Sequence, residues 1–339
     1  MRLRTGPTYL VLACLLLSVS VWTQQSSGPE PLPKPGPQQP GPSETTASNP
    51  QESQPVSKEH GDFVIRKSVQ EVVIHTTVID KNKRIVTTLD RGAFKIFEDG
   101  KQQTITSFRH EDIPVALGIV IDNSGSMREK RDKVNRAALN FVRASNREDQ
   151  VFVVNFNDDY FLDQDFTSDI GKLKEALGKI AAKGGTALYD ALVASADQLT
   201  RSQLQKKILF VVTDGEDTAS HQSLGKAVKR LQSEDGPTVY AIGVLGKGRP
   251  RRARRALEMI ADRTGGIAFL PKTADEVDEI SGSVAHDIRN QYTIGYKPST
   301  PLTDGGFRRI KVEAQAPGYK DLKARARSGY YAGVDPAAQ

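Results

Sequence analysis

Between Pro114 and Asn290 the chain alternates two hydrophobic patterns. Unbroken apolar runs at Val115 to Ile121, Val151 to Phe156, Ile208 to Val212, Val239 to Leu245 and Ile267 to Leu270 suit strands buried on both faces. Helical spacing separates them, in Val134/Ala138/Phe141, Ile170/Leu173/Leu177/Ile180, Leu224/Ala227/Val228/Leu231, Ala253/Ala256/Leu257/Ile260 and Val277/Ile280/Val284/Ile288. Strands alternating with helices predict an α/β domain over residues 113–290: a doubly wound, mostly parallel sheet with helices on both faces. Ligands of such sheets sit beyond the carboxyl ends of the strands, where strand order reverses.

On either side the period changes to two. Val72, Ile74 and Val78 come first, then Phe94 and Ile96, then a return strand with Ile105 and Phe108, with Asp99-Gly100 as the hairpin turn signal. Past the α/β region Tyr292, Ile294 and Tyr296 alternate, followed by Ile310 and Val312 after Asp304-Gly305-Gly306, and by Ala324 to Tyr331. Each segment, 59–112 and 291–332, buries too little surface at roughly 45 residues to be secure alone. We therefore expect them to pack together as one small antiparallel β-sandwich in which the α/β domain is inserted, with residues 333–339 as a tail. The connections are short: Arg109 to Pro114, and the helix of Val277 to Ile288 running into Tyr292.

The first residues speak to compartment. Arg2 and Arg4 precede an apolar run from Tyr9 to Trp22, followed by Gln24, Gln25 and Ser26, the layout of a signal peptide over residues 1–23. The run falls short of the roughly 20 residues a membrane span needs, which favours cleavage over a retained anchor. The single cysteine, Cys14, lies within the run rather than at its end, so lipidation is the lesser alternative. Removal of the segment leaves no cysteine, and with it no disulfide or thiolate metal site. Residues 24–58, rich in Pro, Gln, Ser and Gly, cannot offset their ordering entropy and read as a disordered linker. The expected location is outside the cytoplasm, secreted or in the periplasm or cell envelope. A length of 339 residues accommodates the α/β domain plus a smaller unit, and a net charge of +6 favours acidic partners over nucleic acid.

Candidate chemistry sits where the sheet rule places it. The first buried strand, GIVID, runs directly into NSGSM, which puts Asp122, Ser124 and Ser126 on one loop. Asp214 follows the strand ILFVVT at the equivalent end, and GGTALYD supplies Thr186 just before a helix. All are oxygen donors, which suits a hard divalent ion: Mg²⁺ or Mn²⁺, with Ca²⁺ as the third candidate. The i, i+2, i+4 spacing lets a tight loop direct alternate side chains to one point, and Gly125 is expected to give that loop its backbone freedom. Asp190, on the helix after Thr186, is expected to orient the site rather than to ligate; Asp217 also lies near the site but could just as well cap the next helix, and is not counted as a ligand.

These residues resemble the metal-ion-dependent adhesion site of von Willebrand factor A and integrin inserted domains. Asp122, Ser124, Ser126, Thr186 and Asp214 fill its five positions. The flanks, FEDGKQQTITSF before the domain and YTIGYKP through FRRIKV to SGYY after it, look like the secreted VWFA-related proteins abundant in acidobacteria. The resemblance implies a divalent ion that keeps an exchangeable position for a Glu or Asp carboxylate of a protein partner. It also implies that the last helix of the domain shifts on ligand binding, and so could pull on the β segment joined to it.

Other chemistry is set aside. The chain has no H-E-x-x-H, no G-x-S-x-G and no P-loop, and its five histidines, His60, His75, His110, His221 and His286, make no metal-spaced pair. Gly243, Gly246 and Gly248 lack the order of a dinucleotide fingerprint and read as a turn. Neither an enzyme nor a nucleotide or nucleic-acid binder is expected. Lys247, Arg249, Arg251, Arg252, Arg254 and Arg255 form one dense cationic run, a solvated helix face by default and a contact for an acidic envelope surface as the functional alternative. The function expected is metal-dependent, adhesion-type protein binding; the rival is an envelope scaffold with a structural metal.

Overall fold

The computed structural model describes residues 71–144, 146–179, 181–245, 251–300 and 305–333. The signal segment, the linker, Ile180, Lys247, Arg249, Pro250, Gly246, Gly248 and Asp304 lie outside the described residues.

Four strands come first: β1 (Val72–Ile79), β2 (Phe94–Glu98), β3 (Lys101–Gln103) and β4 (Ile105–Arg109). The α/β region follows with β5 (Val115–Asp122), α1 (Arg131–Arg143), β6 (Gln150–Phe156), β7 (Tyr160–Thr167), α2 (Ile170–Gly178), α3 (Leu188–Thr200), β8 (Lys206–Thr213), α4 (Leu224–Leu231), β9 (Thr238–Gly243), α5 (Arg251–Thr264), β10 (Ala268–Phe269) and α6 (Val277–Arg289). The chain then returns as β11 (Tyr292–Tyr296), β12 (Phe307–Ala314), β13 (Lys323–Arg325) and β14 (Gly329–Tyr331).

The two flanking segments pack together as expected. They build two four-stranded antiparallel sheets, in the orders β13-β1-β11-β4 and β14-β12-β2-β3, around a core that includes Ile74, Ile96, Tyr292, Ile294, Tyr296 and Tyr330. Buried tyrosines find partners: the Tyr292 hydroxyl donates to Val86 O at 2.9 Å, and that of Tyr330 to Glu98 Oε2 at 2.8 Å. Asp99 (φ 48°) and Gly100 (φ 82°) both take the left-handed conformation of a two-residue hairpin turn. Each expected return strand is divided between the sheets. β3 stays beside β2, while β4 crosses to β11; β13 pairs with β1, while β14 pairs with β12. Closing two layers from short strands requires the chain to change layers at corners.

The α/β region is inserted between β4 and β11, which are hydrogen-bonded neighbours, with Arg109 opposite Thr293. Its entry and exit therefore lie side by side, and the insertion leaves the sandwich ladder intact. Its sheet runs β10-β9-β8-β5-β6-β7, parallel except for β7. That edge strand was not legible: the apolar run of YFLDQDFT is only Tyr160 to Leu162, and its side chains are exposed or half-buried. Alternate residues of β5 serve opposite layers. Val115, Leu117, Ile119 and Ile121 pack with α1, α2 and α6, whereas Ala116 and Val120 pack with α3 and α5. Each fully buried aliphatic side chain of this kind contributes roughly 1.5–3 kcal/mol. Sandwich and α/β layers belong to one compact unit, Ile65–Gln339. Among the described residues no helix is long and apolar enough to cross a membrane.

Candidate metal centre

β5 and β8 lie side by side, and their outgoing connections diverge: β5 leads through α1 to β6, and β8 through α4 to β9 on the other side. Strand order thus reverses here, which opens a crevice at their carboxyl ends.

Asp122 closes β5 and is fully buried. Its Oδ1 accepts the Ser124 backbone N–H at 2.7 Å, and its Oδ2 accepts the Thr213 hydroxyl at 2.6 Å. Burial raises the carboxyl's pKa above its ordinary value; these hydrogen bonds oppose the rise, and the charge of Asp214 adds to it. Next comes a 3-10 turn, Gly125–Met127, pinned by the Met127 side chain, which is fully buried in the core beneath α1. The turn sets Ser124 Oγ 3.2 Å from Ser126 Oγ, and the Ser126 hydroxyl donates to Asp214 Oδ1 at 2.7 Å. Asp214 Oδ2 takes the ammonium of Lys130.

The loop carrying Thr186 is tied to the first by two backbone bonds, Gly125 N–H to Gly184 O at 3.1 Å and Lys183 N–H to Asn123 O at 2.9 Å. Gly184 is the residue whose conformation only glycine readily adopts, with φ at 75° and the Asp158 carboxylate so close that a Cβ would stand 2.0 Å from its Oδ2. The freedom expected at Gly125 is not used: its φ is not left-handed, and a Cβ there would meet nothing nearer than 3.8 Å. Asp158 Oδ1 in turn accepts the Gly185 N–H at 2.6 Å. Thr186 is buried, its N–H donates to Thr218 Oγ1 at 3.0 Å, and its own Oγ1 faces Gly215, where a Cβ would lie 3.6 Å away. Direct hydrogen bonds thus link Ser126 with Ser124 and Asp214. Asp122 joins them through the Ser124 backbone, and Thr186 through its loop.

Asp190 holds the loop after Asp214, accepting the N–H groups of His221 and Gln222 at 2.8 Å each. Asp217 takes neither of the two roles open to it in the sequence. It accepts the Tyr189 N–H at 2.9 Å and so serves the start of α3, while Ser223 caps the following helix α4. Sequence reasoning also missed Thr213, Lys130, Asp158 and Thr218. Thr213 ends the strand ILFVVT and Lys130 follows NSGSM by three positions, but single polar residues there carry no periodic signal.

Among the described residues no group of three or more His, Cys, Asp or Glu could hold a metal. Two carboxylates and three hydroxyls on converging loops fit a hard divalent ion. The described part of the arginine run, Arg251, Arg252, Arg254 and Arg255, is exposed at the start of α5, with Arg254 paired to Glu258 at 2.8 Å. The far end of α5 reaches the start of β9, where Thr264 Oγ1 accepts the Val239 N–H. The arginine end therefore lies at the same end of the sheet as Asp122 and Asp214.

The sequence profile of the von Willebrand factor type A domain matches residues 117–216. No curated protein matches the chain. Among solved structures it is similar to a von Willebrand factor type A protein from Catenulispora acidiphila (15% identity, 78% of this chain and 75% of that one, TM-score 0.47). The PilB minor pilin from Streptococcus sanguinis is 15% identical, with 53% of this chain and 62% of that one covered and a TM-score of 0.44, so less than two thirds of the pilin's length is matched. The vWF domain of the type V pili tip protein Mfa5 from Porphyromonas gingivalis is 12% identical over 52% of this chain and 95% of that one, with a TM-score of 0.44.

Proposed function

Because the chain is a von Willebrand factor type A domain protein, we propose that it is a metal-dependent protein-binding module acting outside the cytoplasm. Asp122, Ser124, Ser126, Thr186 and Asp214 would hold Mg²⁺ or Mn²⁺. The observation that carries this reading is the buried state of Asp122: among the described residues no cation is in salt-bridge contact with it, and only neutral donors meet its oxygens. A desolvated carboxylate left without a counter-charge costs stability, and a cation bound beside it would remove that cost. A bound divalent ion would supply a Lewis-acidic point for a partner's Glu or Asp carboxylate. The residues do the rest. Thr213 and the Ser124 N–H fix the Asp122 oxygens, Ser126 fixes Asp214, and the hydroxyls contribute no charge, so the centre stays electrophilic. The arginines at the start of α5 add positive field on the same end of the sheet, which favours an acidic partner surface.

The test is calorimetry with Mg²⁺ and Mn²⁺ on wild type, Asp122→Ala and Asp214→Ala. Both substitutions are at the carboxyl ends of β5 and β8, outside the apolar core, and should keep the fold while lowering metal affinity at least tenfold; unchanged affinity in both would sink the assignment. Capture of an extracellular partner should then disappear in EDTA and in Asp122→Ala. A partner held equally well in both conditions would favour the scaffold role, with the metal structural.

A further inference from the structure

The two carboxylates of the centre are compensated differently. Asp122 meets only neutral donors, whereas Asp214, its side chain 1% exposed, takes the ammonium of Lys130, whose side chain is 28% exposed. Lys130 is placed by the backbone: its N–H donates to Met127 O at 2.9 Å, and its carbonyl accepts the first N–H groups of α1, from Lys133 and Val134. The same buried turn that positions Ser124 and Ser126 therefore positions this ammonium. Both oxygens of Asp214 are engaged, one by the Ser126 hydroxyl and one by Lys130.

We propose that Lys130 sets the charge of the metal centre and thereby its preference for an anionic partner. Resting on the metal-centre reading above, the inference concerns Lys130 alone. Two carboxylates and one ammonium leave a single negative charge around the hydroxyls, so a divalent ion brings the centre to one positive charge in excess. Without the ammonium the centre would be neutral when loaded. Lys130 thus weakens metal binding, because it competes for Asp214 and repels a second cation. It strengthens carboxylate binding, because it preserves the positive excess that a carboxylate answers. A merely structural lysine would not move these two affinities in opposite directions.

The experiment uses the full chain with Mn²⁺ alone, followed by acetate as the carboxylate probe on the Mn²⁺-loaded protein. Mn²⁺ affinity is read by calorimetry, and acetate binding by the change in water-proton relaxation. Lys130→Met should bind Mn²⁺ about tenfold tighter and acetate several-fold more weakly. Lys130→Arg should stay near wild type in both. Lys133→Met, which removes an exposed cation paired with Asp275 at 2.7 Å, is the control and should change neither. Lys130→Gln, which keeps a polar contact to Asp214, gives the same signs if the methionine variant does not fold. Equal or weaker Mn²⁺ affinity in the neutral variants, or undiminished acetate binding, overturns the role of Lys130 while leaving the metal centre standing. Failure of the wild type to bind Mn²⁺ overturns both.

Discussion

The junction between sandwich and α/β layers rests on a buried carboxylate, and Asp287→Ala should expose its weight. Asp287, near the end of α6, accepts the Tyr240 hydroxyl of β9 at 2.5 Å and pairs with Arg325 of β13. Arg325 also donates to Thr77 Oγ1 of β1 at 3.1 Å, and Gln291, just before β11, donates to the Tyr240 hydroxyl at 3.1 Å. Burial, with the Asp287 charge second, pushes the Tyr240 hydroxyl well above its ordinary pKa, so it stays a donor. Truncation leaves that donor unpaired, at about 1–3 kcal/mol. It also strips Arg325 of its counter-charge. Removing one partner of a fully buried pair costs about 3–5 kcal/mol, but Arg325 is 24% exposed and keeps Thr77, so its share is smaller. We expect a total of about 3 kcal/mol, or roughly 6 °C in melting temperature for a unit of this size. Urea unfolding of Asp287→Ala, Arg325→Ala and the double variant measures it, with the double costing about 1.5 kcal/mol less than the singles summed. Mn²⁺ affinity should be unchanged, because Tyr240 and Asp287 lie away from the carboxyl ends of the strands. A loss below about 1 kcal/mol, or strict additivity, would refute the clamp.

Two further outcomes follow from single residues. Gly184→Ala should cost about 2 kcal/mol and weaken Mn²⁺ binding, since it combines a left-handed φ of 75° with a collision against Asp158; Gly125→Ala should leave both near wild type, and equal effects at the two positions would contradict the loop account. His75, beside Thr293 Oγ1 at 3.2 Å, has its pKa pushed down to about 3 by burial and, second, by the Lys206 charge. Its neutral form is held in the folded state while the unfolded chain protonates near 6.5, so this contribution is full above pH 6.5 and declines by about 1.4 kcal/mol per pH unit below it. Stability curves of wild type and His75→Gln should therefore converge by about 2 kcal/mol between pH 7 and pH 5, and parallel curves would exclude the effect.

Much of this architecture was readable because burial on both faces leaves an unmistakable run. β5, β6, β8 and β9 all sit where VALGIVI, VFVVNF, ILFVV and VYAIGVL placed them. The carboxyl-end rule then put Asp122 and Asp214 at equivalent ends of their strands, and the pairing of β5 with β8 makes those ends neighbours. β7 escaped because an edge strand with Asp163 and Asp165 on it has only three apolar residues in a row, Tyr160 to Leu162, and no clean alternation. The split of the return strands into β3 with β4, and β13 with β14, escaped for a different reason: a change of layer is decided by pairing partners hundreds of positions away, as with Thr77 opposite Arg325. Asp217 shows the limit of local capping logic, since one carboxylate can serve the helix behind it as readily as the one ahead. Lys130 and Thr213 became site residues only when the loops were brought together.

The resemblance also led to the expectation that α6 moves when the centre engages a ligand and pulls on β11. The 3-10 turn that leads into α6, Ala274–Glu276, lies beside α1, where Asp275 pairs with Lys133, one turn beyond Lys130. The last turn of α6 is held at the opposite end of the sheet. There Arg289 pairs with Asp112 at 2.8 Å and with Asp149, Asp149 accepts the Val115 N–H at 2.9 Å, and the Lys206 ammonium meets Ile288 O. Asp287 adds the clamp to Tyr240 and Arg325. A helix fixed at that end cannot slide without breaking charged contacts that belong to both layers. A ligand moves an equilibrium only by its difference in affinity for the two states. If sliding forfeits about the 3 kcal/mol assigned to Asp287 alone, a partner must prefer the shifted state roughly 150-fold before that state is half populated. If the centre binds metal and a carboxylate partner as proposed, the polar junction would act as a threshold: weak carboxylate ligands would engage the centre with α6 in place, and only a partner whose contacts extend well beyond the ion, such as to the arginines of α5, would gain enough to draw the sandwich into the response.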